Sequence, residues 1–239
     1  MATDIVTKEL NAQPIAENLT KSEIDKIKRY RDNKASKFYL VVKRFIDIIG
    51  GLVGCIMMIP ISIVIYILNI INKENGPMFY NQKRIGKNGK VFMMYKYRTM
   101  VVNADDILED YLNNHENEKQ EFLIYRKLKN DPRITKTGGI LRKTSLDEWP
   151  QFINVLKGDM SLVGARPYLL KERKYLKDDS IKILTFKPGL TGPWQVAGRS
   201  KLTFSDRIKI EKNYVPSFMG DMKIIIATFK KVFNKDGAY

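Results

Sequence analysis

The chain has 239 residues, of which 44% are hydrophobic and 28% are charged, and its formal net charge is +16. This composition is ordinary for a globular protein and excludes an intrinsically disordered chain. With one cysteine, Cys55, and one histidine, His115, the chain cannot form an internal disulfide or a metal site built on several Cys or His ligands. A bound metal would therefore have oxygen ligands, and Mg²⁺ is the first candidate.

Residues 1–36 are predicted to form a basic amphipathic leader. The first 20 residues lack the apolar core of a secretory signal peptide. Residues 22–40 interleave Lys and Arg with Ile, Tyr and Phe, a pattern typical of helices at a membrane surface. Packing against the rest of the chain, or against a second copy in a homodimer, is the alternative, because an amphipathic pattern alone does not separate these cases.

Residues 37–73 are predicted to form the membrane anchor. Residues 48–71 carry no charged side chain and are long enough to cross a bilayer. Pro60 lies in the middle of this run, where it would remove a backbone hydrogen bond and divide the helix into two shorter arms. Both flanking segments are rich in Lys and Arg, which favours the cytoplasmic side for each. A re-entrant helix that enters and leaves through the same leaflet satisfies both flanks, whereas a straight span does not.

Residues 74–239 are predicted to form one cytoplasmic α/β domain, rich in helices and with short strands. Residues 77–100 are expected to form a hairpin with its turn at residues 86–89, and residues 104–129 to form helix with a polar break. His115 lies in that break and is expected at the surface. Residues 222–233 mix a basic face with an apolar face and are a second candidate for an interfacial amphipathic helix.

Two adjacent acids, Asp147 and Glu148, stand out in this basic chain. Ser145 and Glu148 fit the capping-box pattern, and apolar residues at helical spacing follow as far as Gly158, where a C-terminal glycine cap is expected. Pro150 would fall near the first turn, where proline is tolerated. Taken alone, the pair is either a helix start or part of a chemical site.

Basic residues recur beside turns and small residues in the domain. A planar guanidinium binds phosphate oxygens through two hydrogen bonds, and turns add backbone N–H donors. The sequence has no glycine-rich phosphate loop of the known kinds. The cations predicted to bind an anionic substrate are therefore Lys96, Arg98, Arg133, Arg142, Arg166 and Arg199.

Several sequence blocks together resemble the bacterial sugar transferases, the monotopic polyprenyl-phosphate phosphoglycosyl transferases. From Lys43 to the C-terminus, the blocks that occur in that family's order are KRFIDIIGG, GKNGK, MYKYRTM, DPRITKTGGILRKTSLDEWPQFINVLKGDMSLVGARP and PGLTGPWQVAGR. Two departures are visible. The family's anchor often breaks at Ser-Pro, whereas Ile59 precedes Pro60 here, and its Gly-Pro-Arg-Pro loop reads Gly-Ala-Arg-Pro over residues 164–167.

The resemblance implies transfer of a sugar-1-phosphate from a UDP-sugar to polyprenyl (undecaprenyl) phosphate, with release of UMP, at the cytoplasmic face of a bacterial inner membrane. This is the first membrane step in the assembly of a surface glycan. The resemblance also implies that Asp147 is the nucleophile, that an aspartyl phosphosugar forms, and that Glu148 places Mg²⁺ on the diphosphate. Arg166 and Pro167 would lie at the nucleotide.

Two other functions remain open at this point. A membrane-bound, metal-dependent phosphodiesterase would use the same acids and metal with water as the acceptor. A non-enzymatic basic membrane adaptor would bind anionic lipid or nucleic acid through its charge, but it leaves the acidic pair unexplained. The expected partners are therefore a UDP-sugar, undecaprenyl phosphate and inner-membrane lipids, without nucleic acid. The sequence indicates neither the sugar nor the glycan pathway.

Overall fold

A computed structural model describes residues 19–125, 128–176, 179–198 and 202–233. These residues form a helix-rich α/β structure with short strands, as the sequence predicts. Its elements are α1 (Lys21–Lys34), α2 (Lys37–Ile71), β1 (Phe79–Ile85), β2 (Val91–Tyr97), α3 (Ala104–Asn114), α4 (Glu116–Tyr125), α5 (Lys136–Thr144), α6 (Gln151–Lys157), β3 (Ser161–Val163), β4 (Tyr168–Leu169), α7 (Arg173–Leu176), α8 (Ser180–Ile183), β5 (Gly189–Thr191), α9 (Pro193–Ala197), α10 (Phe204–Glu211) and α11 (Phe218–Phe233).

The predicted hairpin is confirmed. β1 and β2 pair antiparallel in full register from Phe79 opposite Tyr97 to Ile85 opposite Val91, and β4 pairs antiparallel with the other edge of β1. β3 and β5 form a separate parallel pair. The predicted break at His115 is also confirmed, since α3 ends before this exposed residue and α4 begins after it.

The basic helix α1 packs on the domain, which is one of the two alternatives for the leader. Ile27 is fully buried in a core cluster that draws on β1, β4 and several short helices. The other buried members are Leu19, Ile85, Ala165, Tyr168, Leu176, Ile183, Leu184 and Ile208. Residues 1–18 of the leader lie outside the described residues.

Helix α2 has 35 residues and is long and apolar enough to cross a membrane, the one such helix among the described residues. It continues through Pro60 as a single element, so the structure does not divide it into the two predicted arms. A proline can bend a long helix without ending it, because it removes one backbone hydrogen bond and its ring displaces the preceding turn. Large apolar side chains stay exposed along its whole length, from Phe38 to Ile71.

The opposite side of α2 packs on the domain from one end to the other. Asp47 accepts hydrogen bonds from Ser161 Oγ and the Leu162 backbone N–H, at 2.9 and 2.8 Å. At the far end, Asn72 donates a 3.1 Å hydrogen bond to Thr137 Oγ1. Between them, a Cβ atom on Gly54 would lie 2.2 Å from the Phe152 ring, so this close approach requires glycine.

Helix α11 is tied to the start of α2 by a buried acid. Asp221 accepts hydrogen bonds from Lys43 Nζ at 2.5 Å and from the hydroxyls of Tyr39 and Tyr214, both at 2.8 Å. The outer side of α11 remains apolar and exposed, at Phe218, Met219, Ile226 and Phe229. The exposed apolar sides of α2 and α11 therefore belong to one fixed unit of structure.

Candidate active site

The acidic pair lies in a short 3₁₀ turn, Leu146–Glu148, between α5 and α6. The predicted capping box is wrong. Ser145 has φ 58° and ψ 18° because its left-handed backbone ends α5, and its side chain makes no capping hydrogen bond. Helix α6 begins only at Gln151, after Pro150. The glycine cap at Gly158 is confirmed, with φ 86°.

Apolar contacts on both sides of the pair fix this turn. Leu146 and Trp149 pack on a cluster that joins Ile65 of α2, Tyr97 of β2 and Leu141 of α5. Burial of such side chains is the main source of stabilisation in a protein core. The acidic pair is therefore held at the place where α2, β2 and α5 meet.

A buried asparagine brings β2 to the same place. Asn154 of α6 accepts a 3.0 Å hydrogen bond from the Tyr95 backbone N–H and donates one of 2.7 Å to the Met93 carbonyl. The side chain thus satisfies the free edge of β2, whose other edge pairs with β1. This docking places Lys96, the next residue of β2, beside the acids.

Lys96 forms ion pairs with both acids. Its ammonium donates a 2.7 Å hydrogen bond to Glu148 Oε1 and lies 3.8 Å from Asp147 Oδ2. The Asp147 side chain is 15% exposed and the Glu148 side chain 41% exposed. The three predicted residues are therefore brought together, at a position that a solute can reach.

The pKa values of the two carboxyl groups are shifted in opposite directions. Burial raises the pKa of Asp147 to about 6, and Lys96 and Arg142 oppose this while the charge of Glu148 adds to it. Burial also acts to raise the pKa of Glu148, but Lys96 outweighs it, with help from Arg166 and Arg84, so the pKa lies below its usual value. At neutral pH both groups are mostly ionised.

Two predicted arginines lie around the pair. Arg142 is held by a 3.0 Å hydrogen bond from its Nε to Thr99 Oγ1, and its charge acts on Asp147. Arg166 acts on Glu148; its guanidinium is 3.8 Å from Glu172 Oε1 and 5.9 Å from the centre of the Trp194 ring. Together with Lys96, these residues place positive charge around the acids.

The other predicted cations have different surroundings. Arg133 forms a buried, bidentate ion pair with Asp131, at 2.7 and 2.6 Å, which occupies its guanidinium. Arg98 donates a 2.9 Å hydrogen bond to the Pro77 carbonyl and lies 5.7 Å from the Tyr80 ring centre. Arg199 lies outside the described residues. Pro167 contributes its carbonyl, which accepts a hydrogen bond from Arg84.

Arg84 is the residue that the sequence analysis missed. It follows Tyr80 and Gln82 on one face of β1, and Lys96 pairs with Tyr80 on that same face. Arg84 is buried, at 7% exposure, and its charge acts on Glu148. The alternation of side chains along the predicted hairpin could have placed Arg84 on the same face as Lys96. It could not have shown that Arg84 is buried.

The donor set of the site suits a hard divalent cation. No group of three or more His, Cys, Asp or Glu side chains forms a ready-made metal cluster in the part of the chain that the structure describes. Mg²⁺, however, is commonly held by one or two carboxylates together with substrate phosphates. The half-exposed Glu148 and the adjacent Asp147 fit that pattern.

The structure thus combines a partly exposed acidic pair, flanked by basic residues, with a helix-rich α/β domain packed along a helix that is long and apolar enough to cross a membrane. The chain belongs to the bacterial sugar transferase family, whose model matches residues 38–235. The resemblance seen in the sequence blocks is thereby confirmed.

Curated relatives agree with the family. A galactosyl transferase, CpsE, of Streptococcus agalactiae is 43% identical over 84% of this chain and 45% of its own length. An undecaprenyl-phosphate galactose phosphotransferase of Salmonella typhimurium is 41% identical over 88% of this chain and 44% of its own. The exopolysaccharide production protein ExoY of Rhizobium meliloti is 35% identical over 83% of this chain and 88% of its own. The chain thus spans less than half the length of the first two.

Proposed function

We propose that this protein transfers a sugar-1-phosphate from a UDP-sugar to undecaprenyl phosphate and releases UMP, as a membrane step in polysaccharide biosynthesis. The observation that carries the proposal is the state of Asp147. Its carboxylate lies 3.8 Å from the Lys96 ammonium, and no side-chain hydrogen bond to it is found among the described residues. This carboxylate is positioned by its ion pair and need break no side-chain hydrogen bond from the described residues in order to react.

In the first step, Asp147 attacks the phosphorus that carries the sugar. An Asp–phosphorus bond forms, the bond from that phosphorus to the UMP oxygen breaks, and UMP leaves with the electron pair. In the second step, a phosphate oxygen of undecaprenyl phosphate attacks the same phosphorus and displaces Asp147. Division into two steps allows the soluble nucleotide to leave before the lipid phosphate reacts at the same site.

The basic residues would supply the electrostatics of both steps. A carboxylate and a diphosphate repel each other, so attack requires cations that neutralise the charge on phosphorus. The ion pair of Lys96 with Asp147 and the charges of Arg142 and Arg166, which act on Asp147 and Glu148, support this role. Glu148 would hold Mg²⁺ when the ion is bound, and the ion would neutralise diphosphate oxygens as a Lewis acid.

The closing test of this function is the identity of the product. Purified protein in nanodiscs is incubated with Mg²⁺, undecaprenyl phosphate and a panel of labelled UDP-sugars. UDP-galactose is tested first, because galactose occurs in the names of two relatives. Labelled phosphosugar on the lipid is the expected result. Free sugar phosphate would instead indicate a phosphodiesterase, and the absence of any product with every sugar would leave the adaptor function.

We further propose that the protein is monotopic, with both ends of α2 on the cytoplasmic side of the inner membrane and Pro60 at the deepest point. Two features support this. Both flanks of α2 are basic. In addition, Asp47, just before the uncharged run of α2, and Asn72, just after it, contact the same domain, as does Gly54 between them. A helix that crossed the bilayer would leave the domain on one side only.

The topology is tested by cysteine labelling in intact cells. On a Cys55→Ala background, a thiol introduced by Lys37→Cys should resist a membrane-impermeant reagent applied from outside. A thiol introduced by Glu109→Cys, on the exposed surface of α3, is the matched control and should also be protected until the cells are permeabilised. Labelling of the first thiol, but not of the second, in intact cells would identify α2 as a full span.

A further inference from the structure

The loop over residues 164–168, which carries Arg166, is held from one side by Arg84. The Arg84 guanidinium donates a 3.0 Å hydrogen bond from Nη1 to the Pro167 carbonyl, and one of 2.6 Å from Nη2 to Gln82 Oε1. Gln82 and Arg84 lie on the β1 face that they share with Lys96. The loop is therefore bonded to the strand pair that presents the lysine to the acids.

Arg84 is an expensive residue to bury. Its Nε is inaccessible to solvent and has no hydrogen-bond partner. Burial and the nearby charge of Arg166 lower the pKa of Arg84 to about 10. An apolar side chain of similar size would commonly be as stable or more stable in such a place. The presence of a charged guanidinium thus points to a role beyond packing.

The same loop is held from the other side by Glu211 of α10. Glu211 is 1% exposed, and its Oε1 accepts a 2.6 Å hydrogen bond from the Arg166 backbone N–H. Its Oε2 accepts a hydrogen bond from the Tyr168 hydroxyl. Glu211 therefore bonds residues immediately before and after Pro167, whose carbonyl Arg84 binds.

We infer that Arg84 and Glu211 are positioning residues that together hold in place the loop that carries Arg166. This inference rests on the proposed function, because it assigns the two residues to the site of that reaction. Both act on the loop, Arg84 through the Pro167 carbonyl and Glu211 through the Arg166 N–H, and neither needs to touch substrate. Neither residue bonds the Arg166 guanidinium itself, which lies 3.8 Å from Glu172 Oε1 and would exchange that contact for one with a phosphate.

The experiment is a pair of double-mutant cycles. Arg84→Met and Glu211→Ala are each combined with Arg166→Ala, and kcat/KM for the UDP-sugar is measured in nanodiscs for all variants. A misplacement of about 1 Å in a binding group can cost about 10²-fold in rate. We expect each single variant to lose about 10- to 100-fold. In the Arg166→Ala background, the same changes should cost less than about threefold, because there is no longer a side chain to position.

Several controls separate positioning from folding. Arg29→Met and Glu109→Ala remove exposed residues of the same types from α1 and α3 and should leave kcat/KM unchanged. Circular dichroism and thermal melting establish which variants are folded. If Arg84→Met does not fold, Arg84→Lys replaces it in the cycle, because lysine keeps the charge but cannot reproduce both hydrogen bonds of the guanidinium. Tyr168→Phe, which removes one hydroxyl from Glu211, replaces Glu211→Ala in the same way.

The outcomes are distinct. Losses that disappear in the Arg166→Ala background support the inference. Equal losses in both backgrounds, or folded single variants with full activity, overturn it while the wild-type protein still transfers phosphosugar. A wild-type protein that transfers nothing overturns the proposed function itself, and the inference with it.

Discussion

Two segments of this chain share a pattern, a Ser or Thr followed three residues later by a Glu, and they fold differently. At the start of α1, Thr20 has φ −63° and ψ 156°, and its hydroxyl accepts a 3.2 Å hydrogen bond from the Glu23 N–H. Glu23 Oε2 in turn accepts a 2.8 Å hydrogen bond from the Thr20 N–H. Ser145 and Glu148 make neither contact, and Glu148 binds Lys96 instead.

The difference arises from what precedes each segment. Ser145 directly follows α5, and its N–H still bonds the carbonyls at the end of that helix. The chain must leave α5 in the left-handed region, which turns the Ser145 side chain away from the next N–H groups. Glu148 is thereby released from a capping role. The same local pattern therefore gives a glutamate that caps a helix in α1 and, in the site, a glutamate that makes no capping contact.

The largest effect is expected from Asp147→Asn. The amide keeps the size of the side chain but is a far poorer nucleophile, so turnover should fall by at least about 10³-fold while the melting temperature is unchanged. Transfer of labelled phosphosugar to lipid gives the measurement. In the wild-type protein, labelled UDP-sugar supplied without acceptor should leave a phosphosugar adduct on Asp147, detected by mass spectrometry after rapid quenching.

Asp221→Asn is the matched control for this change. Asp221 is another aspartate beside a lysine, Lys43, but Tyr39 and Tyr214 also bond its oxygens. Removing one partner from a buried ion pair costs about 3–5 kcal/mol. Asp221→Asn should therefore lower the melting temperature, while the folded fraction remains active. Turnover should vanish with the nucleophile. The covalent role is therefore refuted if a folded Asp147→Asn variant keeps more than a few per cent of wild-type activity.

The second largest effect is expected from Glu148→Gln, for which Glu23→Gln is the control. Glu148→Gln should lower activity by about 10²-fold and increase the Mg²⁺ concentration that is needed, because the amide is a weaker ligand for a hard cation. Glu23→Gln changes the same residue type in the capping box and should cost no more than about 1 kcal/mol of stability, with activity intact. Activity as a function of Mg²⁺ concentration distinguishes the two variants.

Removal of the metal gives an independent measurement. EDTA should silence the wild-type protein, and added Mg²⁺ should restore its activity. Full activity in EDTA would contradict a role for Glu148 as a metal ligand and would leave it as a partner of Lys96 only.

The sequence predicted the parts of this structure that depend on short-range patterns. Strand alternation around the glycines at residues 86 and 89 indicated the hairpin, since turn residues and apolar periodicity are both local signals. The acidic pair was found because Asp147 and Glu148 are unusual in a basic chain. The sequence predicted that Lys96 binds an anionic substrate but not that it meets the two acids, because Lys96 and Asp147 lie 51 positions apart in the sequence and nothing local joins them.

The remaining features depend on contacts between distant segments. Whether Ser145 caps a helix depends on where α5 ends, and whether Arg84 is buried depends on β4 and the loop at residues 164–168 covering one face of β1. Neither is encoded in the neighbouring residues. The continuity of α2 through Pro60 is of the same kind, since the domain packs along that helix on both sides of the proline.

A third glutamate, Glu211, is expected to make the stability of the protein depend on pH. Burial raises the pKa of Glu211 to about 7, above its ordinary value of 4.5, although Tyr168 and Arg166 oppose this. Between these two values the folded protein keeps a proton that the unfolded chain has released, so this group makes the protein less stable as the pH rises through that window. Glu211→Gln cannot titrate and should lack this fall.

The measurement is the melting temperature of both proteins between about pH 5 and 7.5. The melting temperature of the variant minus that of the wild type should increase with pH, whatever its starting value. A constant difference would show that Glu211 does not change its protonation on unfolding in this range.

The smallest effects are expected at the first residue of each pattern. Thr20→Ala removes a working N-cap and should destabilise the protein by about 1 kcal/mol, seen as faster hydrogen exchange in α1.

Ser145→Gly removes a hydroxyl that caps nothing and places glycine at φ 58°. Glycine adopts this conformation without a steric penalty, which offsets the entropy that it adds to the unfolded chain. Stability should change by less than about 0.5 kcal/mol, and activity should be retained, because Asp147 and Glu148 are held by Leu146, Trp149 and Lys96 rather than by the serine. Ser145→Val is the contrasting variant, since a β-branched side chain is strained at this φ and should destabilise the turn. Loss of activity in a folded Ser145→Gly protein would show that the Ser145 hydroxyl itself acts in the site. The two segments would then differ in the chemistry of their first residue and not in its backbone conformation.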